Sequence, residues 1–135
     1  MIRHEGKRHR LYRDSVGKFT IGVGRNLTDG GLSDDEINLL LDNDIRKFYA
    51  AAQKEVWWTA VADDPVRSSV MVELCFNLGI GGVRGFHKAL AALLMRDWEA
   101  CAQQFKASKW YSQVGSAPGQ RGYELVEMLR TGKEG

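Results

Sequence analysis

Residues 1–28 read MIRHEGKRHRLYRDSVGKFTIGVGRNLT. Glu5 is followed nine residues later by Asp14, and Thr20 stands six beyond that. Gly17, Gly22 and Gly24 punctuate the stretch, and Thr20-Ile21 favours extended backbone. Residues 2–9 suit a short helix of about two turns that contains Glu5. Leu11-Tyr12 reads as a strand end, Asp14-Ser15-Val16-Gly17 as a turn, and 18–24 as the returning strand. Residues 25–27 suit the start of a third strand, and Thr28-Asp29-Gly30-Gly31 is a turn. A short helix bearing one carboxyl is thus expected to face a hairpin bearing a second carboxyl and a hydroxyl.

Working outward, Ser33-Asp34-Asp35-Glu36 is a capping box, in which the Ser hydroxyl and the Glu carboxylate each satisfy a free backbone N–H. The helix it opens carries Ile37, Leu40, Leu41, Ile45, Phe48 and Ala52 at 3.6-residue spacing. It is expected to run to about residue 55, or about 33 Å. That length suits a spine between a β-rich front and a helical lobe. Asp64-Pro65 is an N-cap with Pro at the first helical position. Val66, Val70, Leu74 and Leu78 follow as an apolar face beside Met71 and Cys75, and Gly79 is expected to stop that helix.

A glycine-rich connector is then expected over 80–86. Helices over 88–95 and 97–107 come next, the second capped by Asp97 with Trp98, Cys101, Ala102 and Phe105 inward. Lys109-Trp110-Tyr111 begins a short turn, and Pro118 opens a last helix ending before Gly132. No repeat or low-complexity stretch is present. The fold class that follows is α+β, mostly α: one domain over 1–135, with a β-rich lobe at about 11–32, a linking helix at 33–55 and a helical lobe at 56–135.

The composition agrees with a chain that builds a core. The 135 residues are 44% hydrophobic and 27% charged. No run of about 18 apolar residues suggests a membrane span, and no apolar stretch follows the basic N-terminal residues as in a secretory signal. Cys75 and Cys101 lie among apolar neighbours, without Cys or His at metal-ligand spacing, and read as buried free thiols. The net charge of +2 is unevenly spread: +5 over 1–25, −6 over 26–64 and +3 over 65–135. A basic face suits a polyanionic partner, either nucleic acid or an anionic wall polymer.

Taken by spacing, Glu5 and Asp14 also fit a solvated helix acid and an ordinary turn Asp. Glycosidic-bond hydrolysis needs two carboxyls across one gap, with one holding its proton and the other ionised. Gly22-Val23-Gly24 lacks the third glycine of a dinucleotide loop, and residues 79–85 lack the Gly-Lys-Ser/Thr of a phosphate loop. Lys7-Arg8-His9-Arg10 is too short a basic run to argue for nucleic acid.

The ordered set Glu5-Gly6, Leu11-Tyr12-Arg13-Asp14, Gly17 and Thr20-Ile21-Gly22-Val23-Gly24 resembles the signature of the phage-type lysozymes, glycoside hydrolase family 24. Phe76-Asn77-Leu78-Gly79, Gly82-Val83-Arg84-Gly85-Phe86, Ser108-Lys109-Trp110-Tyr111 and Arg130-Thr131-Gly132 resemble later landmarks of that family. The resemblance therefore runs nearly end to end. It implies a lysozyme-like fold: a small β-hairpin lobe and a larger helical lobe joined by a long helix.

The same resemblance implies a muramidase that cleaves the β-1,4 bond between N-acetylmuramic acid and N-acetylglucosamine. Glu5 would be the general acid, Asp14 the base or electrostatic partner for the attacking water, and Thr20 would position that water. The family inverts, which implies a carboxyl separation of roughly 6.5–9.5 Å. Arg121 aligns with a family arginine that pairs with the catalytic glutamate; it also reads as a plain helix arginine. A cation there lowers the pKa of an acid catalyst, so burial or substrate would have to oppose it.

Leu27, Phe76, Asn77 and Phe86 are candidate substrate-binding residues, with core packing or bracing as the alternative for each. Trp110 and Tyr111 could stack or pack. Arg25 stands where many relatives have histidine, so no role transfers to it. The 28–33 connection is shorter than a β extension of some relatives. No metal or organic cofactor is implied. Peptidoglycan is the expected partner, with no nucleic acid, no stable membrane insertion and a monomeric state. The resemblance also implies an endolysin made in the cytoplasm and released to the wall by a separate holin-type protein, serving bacteriolysis. A lytic transglycosylase and a non-catalytic peptidoglycan- or nucleic-acid-binding module are the alternative readings.

Overall fold

The structure is a computed structural model, and it describes residues 8–13, 15, 17–22 and 25–134. They belong to two compact units, Met1–Asp42 and Asn43–Gly135. In the first, strand β1 (Arg8–Arg13) pairs antiparallel with β2 (Phe19–Gly22), and β2 pairs antiparallel with β3 (Arg25–Asn26). The sheet order β1-β2-β3 makes β2 the central strand. Tyr12 lies opposite Thr20 and Arg13 opposite Phe19, while a register shift separates this pairing from Arg8 opposite Gly22. The sheet thus claims Arg8 and His9 as strand, so the helix expected over 2–9 cannot extend to residue 9. Residues 2–7 lie outside the described residues.

The turn after β3 is closed by backbone bonds, Gly30 N to Asn26 O at 3.1 Å and Gly31 N to Leu27 O at 3.2 Å. Helix α1 (Asp34–Ala52) starts at the expected capping box. Glu36 N donates to Ser33 Oγ at 3.2 Å, and Ser33 N donates to Glu36 Oε1 at 2.9 Å. Three acidic residues in its first turn suit the positive end of the helix dipole. The helix stops three residues short of the expected end, and only Ala52 of the predicted apolar stripe is buried.

The second unit continues with a 3₁₀ turn (Val56–Ala60), which the sequence reading did not anticipate, and α2 (Pro65–Arg84). Asp64 Oδ1 accepts from Arg67 N at 3.0 Å, as expected of a cap before Pro65. Gly79, at φ 77° and ψ 160°, is non-helical and breaks α2 into two helical segments, so the expected stop falls where the first segment ends. Residues 80–84 are therefore helical, where a connector was expected. Packing supplies the reason: Val83, beyond the kink, is fully buried in the core and holds the last turn in place. By length and composition alone, α2 could cross a membrane, with a mean hydropathy of 1.2. Here Val70, Met71, Leu74 and Cys75 on its inner face are core residues.

Helices α3 (His87–Leu94), α4 (Trp98–Lys106), α5 (Lys109–Val114) and α6 (Arg121–Thr131) complete the unit. Helix α3 packs on α4 and on the 3₁₀ turn, while α6 packs on α2, α4 and α5. Asp97 caps α4 through Ala100 N at 3.1 Å. Leu93, Cys101, Ala102, Phe105 and Leu129 are completely buried. Burying such a Leu or Phe side chain contributes about 1.5–3 kcal/mol, which is why this cluster holds the helices together. The last helix begins at Arg121, not at Pro118, because Gly119 takes φ 87° and turns the chain before Gln120. It ends at Gly132 in the left-handed region, φ 73°, a common helix stop for glycine.

Candidate active site

Thr20 is fixed by the sheet. It sits on the central strand between Tyr12 and Asn26, and is 2% exposed. Its hydroxyl donates to Lys18 O at 3.1 Å, which satisfies the buried donor and leaves the oxygen's lone pairs able to accept. The register of β1 against β2 follows from Arg13 opposite Phe19, so residues 14–18 join the strands. Glu5 and Asp14, the expected acid and base, lie outside the described residues.

Arg25 has a structural task. Its Nη1 donates to Glu36 Oε1 at 2.6 Å and to Gly31 O at 3.3 Å. The guanidinium and the Ser33 donors hold Glu36 down to a pKa of about 2, with the Arg25 bond the largest cause. Leu27 is half-buried in the turn, where its carbonyl accepts from Gly31.

In the second unit the predicted cleft residues divide. Phe76 is 41% exposed and meets Phe48 edge-on, with ring centroids 5.6 Å apart. Asn77 is exposed beside it on α2. Phe86 precedes α3, and its ring lies 4.9 Å from that of Phe105. It also lines a cavity of about 330 Å³ with Gly85, His87, Lys88, Ala89 and Gln104. Phe76 and Asn77 do not line that cavity. Trp110 and Tyr111 are buried, so both take their packing reading.

Arg121 bonds to Glu73 through Nη2 and Oε1, joining the start of α6 to α2. The sequence reading had not singled out Glu73. Its signal is an acid interrupting Val70-Met71-Val72-Glu73-Leu74-Cys75. The second carboxylate oxygen, Oε2, is buried and has no hydrogen-bond partner among the described residues. Pairing with Glu5 was the expectation for Arg121, and Glu5 lies outside the described residues. Among the described residues no group of three His, Cys, Asp or Glu side chains could hold a metal ion.

Comparison with known families decides the relationship. Residues 2–126 match the phage lysozyme family.

The chain belongs to that family.

Two curated relatives extend the likeness. The pre-baseplate central spike protein Gp5 of Enterobacteria phage T4 is 28% identical over 141 aligned residues, covering 83% of this chain. The chain spans about a quarter of that relative, 24% of its length. The probable T4-type lysozyme 1 of Dictyostelium discoideum is 19% identical over 156 residues, covering 95% of this chain and 89% of its own. The α+β, mostly α fold with a small antiparallel sheet agrees with this family, and the expected lysozyme-like architecture holds.

Proposed function

We propose that this phage-lysozyme-family chain is a peptidoglycan hydrolase that cleaves the β-1,4 bond between N-acetylmuramic acid and N-acetylglucosamine with inversion. The observation that carries the reading is the family match over residues 2–126, which spans the Glu5, Asp14 and Thr20 positions. Glu5 protonates the leaving oxygen, Asp14 takes a proton from the attacking water, and Thr20 orients that water. The described part of this set supports its role: a hydroxyl held by a central strand loses little freedom when it binds a water.

Phe76, Asn77, Phe86 and Leu27 are assigned to substrate contact, with the anionic wall polymer favoured over nucleic acid or membrane. No metal or organic cofactor enters the mechanism. The protein acts on the cell wall after synthesis in the cytoplasm and holin-type release, in the manner of an endolysin. A second setting is favoured by the spike-protein relative: the same wall-cutting module carried within a larger phage assembly.

The test is mass analysis of products from purified peptidoglycan, run beside Glu5→Gln, Asp14→Asn and Thr20→Val. New reducing ends are expected from the parent, with losses of at least about 10²-fold in the two carboxyl variants. Anhydro-sugar products would instead establish a transglycosylase. Binding without any product would establish a wall-binding module.

A further inference from the structure

We propose that residues 80–85 form a latched strap, which swings as a unit about Gly79 and Phe86, is held shut by the Arg84–Glu55 ion pair, and in opening widens the cavity at the start of α3. The chain leaves helical geometry at both ends of this stretch. Gly79 stands at φ 77° and ψ 160°, a region open essentially to glycine alone, and Phe86 at φ −84° and ψ 62°. No atom crowds the Cβ position at Gly79 or at Gly81. Between the two breaks the segment is closed on itself, since Gly85 N donates to Gly81 O at 3.3 Å and to Gly82 O at 3.2 Å. It can therefore move without losing these bonds. Phe86 N donates to Val83 O at 3.0 Å, so Phe86 follows the segment.

Two kinds of tie hold the strap to the rest. One is apolar: Val83 is fully buried and Ile80 packs partly against the core, while Gly81, Gly82, Arg84 and Gly85 are exposed. The other is polar: Arg84 Nε and Nη2 donate to the two oxygens of Glu55, at 2.7 and 2.8 Å. The Glu55 side chain is 9% exposed and that of Arg84 65%, so the carboxylate is the fixed half of the latch and the cation the movable half. Opening would leave a nearly buried carboxylate unpaired, which favours the closed state. A stretch with so few buried contacts opens more readily than the whole fold unfolds.

The far end of the strap is also a wall of the cavity. Gly85 and Phe86 line its volume of about 330 Å³ with His87, Lys88, Ala89 and Gln104. The Phe86 ring lies 4.9 Å from that of Phe105, so a swing of the strap draws it off α4 and opens the cavity floor, where Ala89 is 1% exposed. This gating stands on the geometry alone and does not depend on the substrate assigned to Phe86.

Hydrogen exchange of the full chain, read by mass spectrometry, tests the strap. The amides of 81–86 are expected to exchange together, and faster than those of 98–106. Arg84→Met and Glu55→Gln should quicken 81–86 by about ten-fold, the effect of losing one charged hydrogen-bonded pair, and leave 98–106 unchanged. Arg84→Lys should have a smaller effect in the same direction, because an ammonium cannot meet both oxygens from one plane. Alkylation of Ala89→Cys, located by peptide mass, reads the cavity itself and should quicken when Arg84→Met is added. Cys75 and Cys101 do not compete, being buried with thiol pKa values pushed up to about 11 and about 12. Exchange of 81–86 no faster than that of 98–106 in the parent overturns the proposal. So do latch variants that leave 81–86 unchanged or quicken both stretches alike, and an alkylation rate that Arg84→Met fails to raise.

Discussion

Arg25 Nη1 lies 2.6 Å from Glu36 Oε1, so the first residue of β3 is tied to the carboxylate that caps α1. Glu36 receives the Ser33 N–H at the same oxygen. With its pKa lowered from 4.5 to about 2 in the folded chain, the carboxylate contributes stability that is fully present above pH 4.5. That contribution declines as pH falls towards 2. Glu36→Gln should therefore melt below the parent at pH 7, and the gap should close between about pH 4.5 and pH 2. A gap that stays constant through that window would show that the ion pair is not its source.

Arg67 ties the last helix to α2. Its Nε donates to Leu129 O at 2.6 Å and its Nη2 to Arg130 O at 2.9 Å, satisfying carbonyls at the end of α6. Nη1 reaches Asp64 Oδ2 at 2.9 Å, and the guanidinium carbon lies 4.0 Å from the Trp98 ring centroid. Arg67→Met should cost about 2–4 kcal/mol in urea unfolding, since it strands two acceptors and one carboxylate oxygen. Arg67→Lys should recover only part, because an ammonium cannot serve all three directions from one plane.

Gly122 is a position where any side chain collides. A Cβ there would stand 2.5 Å from Gly115 O and 2.8 Å from Val114 Cγ2. The backbone oxygen cannot rotate away, so α6 would have to lift from α5. Gly122→Ala should destabilise by about 1–3 kcal/mol despite its better helix propensity. Gly119→Ala should also destabilise the fold, by about 1 kcal/mol, through its positive φ alone, because open space surrounds its Cβ position. A thermal melt of the two variants separates collision from backbone strain.

Removing either end of the Arg121–Glu73 pair should not cost the same. Arg121→Met leaves a carboxylate on α2 with one buried oxygen and no cation, an expected loss of about 1–3 kcal/mol. Glu73→Met removes that oxygen from among apolar neighbours and leaves a guanidinium that water can reach, so it should cost less than ~1 kcal/mol. Chemical denaturation gives both values. Equal losses would mean that the bond itself, and not the desolvated carboxylate, governs the site.

Much of the fold could be read directly where the controlling interaction is local. Ser33 with Glu36, Asp64 with Arg67 N and Asp97 with Ala100 N all act over three residues, and all three caps are found. Errors arose where distant packing overrode a local signal. Gly79 breaks the helix as expected, yet the connector expected after it is helical over 80–84, because Val83 is buried. Pro118 is permitted at a helix start, but the chain turns at Gly119 first. The stripe on α1 gave the correct period and could not say whether anything covers it. Thr20 was legible as a strand residue, because β-favouring Thr20-Ile21 stands between Gly17 and Gly22. Glu73 was not, because its partner is 48 residues away.

The Arg25–Glu36 link has an evolutionary consequence. It bridges the 28–33 connection from outside, holding β3 to the helix start with residues that do not belong to the connection itself. The segment between is thereby freed from setting the geometry of its own ends. Residues could be gained or lost there over many generations while α1 kept its starting point.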